Sequence, residues 1–174
     1  YLDGKLIEAR IERASCFIVN VIRCRPPDNR EPKEDELLAC SEHLLKDIRD
    51  RRPKVIVALG RFSAAFFLGK PAHDAGILRM RGRLLYWIHP EDTSLKVTVL
   101  LTLHPSFVMR MESSPGSEWP ALFLADLMAA RALLVSDTLV YNAGKKAPES
   151  GNAPLTGSVA DTIARAPEEN IKPV

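Results

Sequence analysis

Apolar residues form short runs that alternate with amphipathic stretches along most of the chain. Runs of five to seven apolar residues bounded by turn residues are typical of buried strands. Four segments fit this pattern, namely 16–22 (CFIVNVI), 55–60 (VIVALG), 84–88 (LLYWI) and 97–103 (VTVLLTL). Helical spacing predicts helices between and after them, at 33–51, 61–69 and 119–135. Because nearly all-apolar strands alternate with helices, we predict an α/β fold, a three-layer α/β/α sandwich around a mostly parallel sheet.

The pattern ends near residue 142. Residues 143–174 are rich in Gly, Pro, Ser and Ala and have no apolar period. Such a segment cannot bury enough apolar surface to offset the entropy of ordering. We therefore expect a folded domain of residues 1–142 and a disordered or partner-binding tail at 143–174.

Composition narrows the class of protein. Of 174 residues, 46% are hydrophobic and 26% charged, and no apolar run is long enough to span a membrane. We therefore expect a cytoplasmic protein. The net charge of +2 divides into 19 − 14 = +5 for residues 1–110 and 5 − 8 = −3 for the remainder. The front part could meet a polyanion, but the excess is mild, and charge alone favours a mixed solvated surface.

Two polar residues lie near the expected carboxyl edge of the sheet, where ligands of α/β proteins bind. Asn20 interrupts an apolar run, and its amide could pair with an amide edge of a ligand or have purely structural partners. His104 follows the last strand and could be an electrophile at the mouth of a site or an incidental loop residue. His89, before Pro90, is expected at the surface. Gly60 could hold a phosphate at a helix start or allow close packing.

Two of the three cysteines, Cys24 and Cys40, lie sixteen residues apart around the loop CRPPDNR. An odd number of cysteines argues against a disulfide framework, so they are free thiols or metal ligands. Cys16 is expected in the core. The loop's three arginines could contact phosphate or simply be solvated.

Taken together, four segments resemble the uracil-DNA glycosylase superfamily, specifically its iron–sulfur, family 4-like branch. They are IVNVIRCRPPDNREP, RPKVIVALG, LRMRGRL and LTLHPSFVMR, and their order and spacing make the combination specific. The resemblance runs from residue 1 to about residue 134 and does not include the tail.

The resemblance implies hydrolysis of the N-glycosidic bond of a uracil flipped out of DNA, in base excision repair. Asn20 would read the base and His104 would stabilise the leaving uracil anion. Cys24 and Cys40 would supply two ligands of a 4Fe-4S cluster. Five further residues would contact DNA, namely Arg25, Ser106, Val108, Met109 and Arg110. Of these, Val108 and Met109 are candidates for an apolar wedge.

In the family, two more cluster cysteines and a glycine-rich water-positioning motif precede the position that corresponds to Tyr1. We therefore expect that preceding residues or a second polypeptide pack beside residues 16–22 and complete the site. We also expect that this chain alone binds no stable cluster and has no glycosylase activity. Two other functions stay open. One is a catalytically inactive DNA-binding or polymerase-accessory subunit with this fold, and the other is a zinc- or cluster-stabilised assembly module.

Overall fold

The computed structural model describes residues 1–135. It contains six α-helices within that range: α1 (Leu2–Glu8), α2 (Glu34–Arg51), α3 (Arg61–Leu68), α4 (Ile77–Met80), α5 (Pro105–Glu112) and α6 (Trp119–Val135). Its three strands are β1 (Val55–Leu59), β2 (Leu84–Ile88) and β3 (Lys96–Thr102). The expected tail at 143–174 and the boundary at 142 lie outside the described residues. Over the described part, no helix combines the length and hydropathy needed to cross a bilayer.

The strands form one sheet in the order β1-β3-β2. β1 runs parallel to β3, with Val55 opposite Thr98 and Leu59 opposite Thr102. β2 runs antiparallel to β3, so the described sheet is small and mixed. The predicted α/β fold is confirmed, whereas the described sheet is mixed and not mostly parallel. Three of the four predicted strands are present within one or two residues of their expected bounds.

Helices cover both faces of the sheet. The side chains of Val97, Val99 and Leu101 alternate along β3 toward one face, where they pack with α2 and α3. On the other face, Val57 and Leu59 of β1 pack against a second core cluster built from α1, α5 and α6. These two clusters produce the three layers.

The prediction of a strand at 16–22 is wrong for this structure. The segment is irregular, and Phe17, Ile18 and Val19 are 49%, 43% and 37% exposed. An apolar run signals only that side chains favour burial, whereas a strand also needs a neighbouring strand for its backbone N–H and C=O groups. Part of the segment finds other contacts, since Val21 packs against the first core cluster and the Arg51 guanidinium lies 3.4 Å from the Phe17 ring centroid.

The expectation that His89 lies at the surface is also wrong, because its side chain is fully buried. Its Nδ1 accepts hydrogen bonds from the backbone N–H groups of Glu91 and Asp92, both at 3.2 Å. Its Nε2 lies 3.0 Å from the carbonyl oxygen of Leu45 on α2 and donates to it. The ring therefore joins α2 to the turn between β2 and β3.

Candidate active site

His104 lies at the carboxyl end of β3, where the chain turns into α5. Pro105 occupies the first position of the helix, which suits its fixed φ and missing N–H. The His104 ring caps the helix, because its Nδ1 accepts from the backbone N–H of Ser106 at 3.2 Å. Ser106 Oγ lies 2.7 Å from the same nitrogen. Since Nδ1 is an acceptor, the proton of the neutral ring is on Nε2, which is left as the donor.

The charge state of His104 follows from its surroundings. Partial desolvation of the ring lowers the pKa of His104 below its usual value, and the positive charge of Arg110 lowers it further. Protonation of Nδ1 would also set a second donor against the Ser106 N–H. The ring is therefore neutral at pH 7, although the residue as a whole stays exposed to solvent. It can donate a hydrogen bond to a developing anion without first losing a proton.

Gly60 packs directly against His104. It follows β1 with φ +82° and ψ 179°, a conformation that is essentially restricted to glycine. A Cβ added there would lie 2.7 Å from His104 Cβ. The Gly60 N–H donates to the carbonyl oxygen of Thr102 at 2.8 Å, which joins the ends of β1 and β3. Of the two interpretations of Gly60, close packing is therefore the one that the geometry supports.

Asn20 lies in the irregular segment after the first 3-10 turn and is exposed. Because Asn20 is not in a strand, no sheet fixes the direction of its side chain. The prediction that Asn20 and His104 open onto one site stays a prediction.

The loop that carries Cys24 lies along α2. Arg23 pairs with Asp47 and donates to the carbonyl oxygen of His43 at 3.4 Å, while Arg30 makes a two-point pair with Glu36 at 2.8 and 2.6 Å. Cys40 lies on α2 between these two anchors.

The two thiols differ in accessibility, since Cys24 is exposed and Cys40 is buried. Within residues 1–135, no three or more His, Cys, Asp or Glu side chains come together as a metal site. The described residues therefore do not make a complete four-thiolate site, and the assignment of Cys24 and Cys40 as cluster ligands stays a prediction. Cys16 was expected in the core, but it is only partly buried and packs against the edge of the second core cluster.

The basic loop is largely neutralised by its own partners. Arg23 and Arg30 both contact carboxylates, whereas Arg25 donates through Nε to the neutral amide oxygen of Asn29 at 2.6 Å. An arginine bonded to an amide keeps its full charge for an external anion. Among the three loop arginines, Arg25 is the one whose contacts leave it suited to phosphate.

The two candidates for the apolar wedge, Val108 and Met109, point in different directions from α5. Val108 is fully buried in the second core cluster, and Met109 is 52% exposed. Consecutive helix residues point in different directions, so one side of α5 is committed to the core. The expectation that Val108 enters a DNA groove is therefore corrected, and Met109 and the exposed Arg110 are the residues that face outward.

Two features at the carboxyl end of β3 were not expected from the sequence. One is its contact with Gly60, and the other is a buried pair between Arg81 and Asp126, which are 45 residues apart. Arg81 lies in the LRMRGRL segment, so the motif pointed to the region without revealing the partner.

Comparison with known proteins assigns the chain to a family. A model of the uracil DNA glycosylase superfamily matches residues 2–128. The chain therefore belongs to the uracil DNA glycosylase superfamily.

Within the superfamily, the chain is similar to curated proteins named type-4 uracil-DNA glycosylase. One from Sulfurisphaera tokodaii is 40% identical over 110 residues, covering 59% of this chain and 49% of that protein. Another from Thermotoga maritima is 35% identical over 134 residues, covering 76% of this chain and 64% of that protein. A type-5 uracil-DNA glycosylase from Pyrobaculum aerophilum is 30% identical over 79 residues, covering 38% of this chain and 34% of that protein. The chain spans about half to two thirds of the length of the first two relatives.

Proposed function

We propose that the protein in which these residues occur is a uracil-DNA glycosylase that hydrolyses the N-glycosidic bond of uracil in DNA. The observation that carries the proposal is the neutral His104 ring, whose Nδ1 is fixed by Ser106 and whose Nε2–H is left to donate. Membership of the superfamily and similarity to relatives with this printed name support it.

The chemistry follows from charge. Cleavage of the glycosidic bond leaves negative charge on the uracil ring, chiefly on O2. A hydrogen-bond donor already positioned at that oxygen lowers the barrier, because it stabilises the negative charge as the charge develops. In this proposal His104 Nε2–H is that donor and Asn20 reads the Watson–Crick edge of the flipped base. Water completes the hydrolysis.

Ser106 takes a different role from the one first expected. Its hydroxyl has one proton, and that proton is directed to His104 Nδ1 because the ring nitrogen is an acceptor. The hydroxyl therefore cannot donate to a phosphate at the same time. We assign Ser106 to holding the tautomer of His104, and we keep Arg25, Arg110 and the apolar Met109 as the proposed DNA contacts.

The proposed cluster would be structural. Cys24 and Cys40 would hold two corners of a 4Fe-4S cluster, with two ligands from another segment or polypeptide, and the cluster would tie the arginine-rich loop to α2. The anchors on either side of Cys40 support this arrangement. No step of the base chemistry passes through it.

The test uses the protein in which these residues occur, with its cluster and all its segments, and compares uracil release by wild type and by His104→Ala on a labelled oligonucleotide with a single uracil. Loss of a single anion-stabilising donor is expected to lower the rate about 10²–10³-fold. The control is His73→Ala, because His73 is exposed and contacts only the neighbouring Asp74 among the described ion pairs. An equal rate in the His104 variant would remove this residue from the reaction. Binding of the oligonucleotide without any release by wild type would favour the DNA-binding subunit instead.

A further inference from the structure

A buried carboxylate joins three elements behind the candidate active site. Asp126, in the middle of α6, is 4% exposed. Arg81, just after α4, contacts both of its carboxylate oxygens, with Nε 3.1 Å from Oδ2. Thr102, the last residue of β3, donates its hydroxyl to Oδ2 at 2.5 Å.

The partners of this carboxylate are themselves held. Arg81 also donates to the carbonyl oxygen of Leu122, one turn earlier on α6, at 3.1 Å. Its side chain is 19% exposed, and Thr102 is fully buried. Removing one member would leave a buried charge or hydroxyl without its partner, which costs far more than a surface pair does. The network therefore fixes its three members tightly relative to one another.

The network reaches His104 by two routes. Along the chain, Thr102 is two residues before His104, and the intervening Leu103 is 1% exposed in the second core cluster. Through the main chain, the Thr102 carbonyl oxygen accepts from the N–H of Gly60, which packs on the His104 side chain. Thr102 is thus held by its side chain on one side and by its carbonyl on the other.

We propose that Arg81, Asp126 and Thr102 are positioning residues, which set the carboxyl end of β3 and so place His104. The catalytic consequence rests on the proposed function, but the placement of the ring does not. None of the three touches the His104 ring among the described contacts, and they act through the backbone between Thr102 and His104 and through Gly60.

The experiment uses Thr102→Val, which keeps the shape of the side chain and removes its hydroxyl. Thr102→Ser restores the hydroxyl, and Asp126→Asn perturbs the same network if the valine variant does not fold. The control is Val99→Ala, which lowers stability through the same strand without touching the network. The readout is NMR of histidine-labelled protein, which follows the ring signals and titration of His104, together with kcat and KM for uracil release.

With Thr102→Val we expect displaced His104 ring signals and a pKa closer to its usual value, because a released ring is better hydrated. Thr102→Ser should return both toward wild type, and Val99→Ala should leave them unchanged. For uracil release, Thr102→Val should lower kcat about 10-fold to 100-fold with little change in KM, as a misplaced catalytic group does.

A merely structural network would give a different result. If Thr102→Val and Asp126→Asn lower stability while the His104 signals and titration match wild type, the positioning proposal is refuted. If wild type releases no uracil but the ring still responds to Thr102→Val, the glycosylase proposal fails and the positioning proposal stands.

Discussion

Replacement of Gly60 by Ala tests how closely the placement of His104 is set. The new methyl group would begin 2.7 Å from His104 Cβ, and ordinary contact starts at 3.4 Å, so the two must separate by about 3.4 − 2.7 = 0.7 Å. Non-glycine residues in such a backbone region cost about 1–3 kcal/mol, and overpacking costs a further ~1–3 kcal/mol. The variant should therefore be less stable by a few kcal/mol and still fold.

The molecules that remain folded should also lose activity. Because a displacement of about 1 Å of a reacting group can cost about 10²-fold, a shift of this size should lower kcat for uracil release on the order of tenfold to a hundredfold. The matched control is Gly116→Ala, where φ is +73° but no atom lies within 4 Å of the added Cβ. That variant should lose stability without a comparable loss of kcat. Equal kcat values for Gly60→Ala and wild type at full folding would refute the reasoning.

Three further predictions concern the surroundings of the site. Arg110→Ala should raise the pKa of His104, measured by NMR titration, because a nearby positive charge that disfavours the imidazolium is removed; Arg110→Lys should keep the value, and an unchanged pKa in the alanine variant would contradict this. Val108→Ala should lower the unfolding free energy by about 1–3 kcal/mol. Met109→Ala should weaken binding of uracil-containing DNA and leave the melting temperature nearly unchanged. The reverse pattern would overturn the assignment of the two faces of α5. Cys24→Ser should abolish iron in the purified protein, measured by metal analysis, and retention of full iron would exclude this thiol as a ligand.

The local elements of this fold could be predicted from the sequence because their causes are local. The strand Leu84–Ile88 and the helix Trp119–Val135 follow from uninterrupted apolar or helix-forming residues with clear ends. His104 also could be placed, since a strand followed by a proline leaves the residue between them at the sheet edge. The sequence therefore predicts those site residues that directly follow a strand, such as His104.

The remaining features depend on distant partners. Segment 16–22 has the composition of a strand, but pairing requires a neighbour that no local pattern reveals. Nothing in the sequence around Arg81 or Asp126 indicates that the fold pairs these two charges. Val108 differs from Met109 only in the direction that α5 gives its side chain, and that direction depends on how the helix leaves the strand.

The buried His89 has a consequence for how this half of the molecule can move. Three hydrogen bonds hold its ring: Nδ1 accepts from two backbone N–H groups of the turn after β2, and Nε2–H donates to the carbonyl oxygen of Leu45 on α2. Only one tautomer satisfies all three, and no rotation of the ring preserves them. Helix α2 and the β2–β3 turn are therefore obliged to shift together. A movement of α2 that keeps these bonds would therefore carry the turn between β2 and β3 with it.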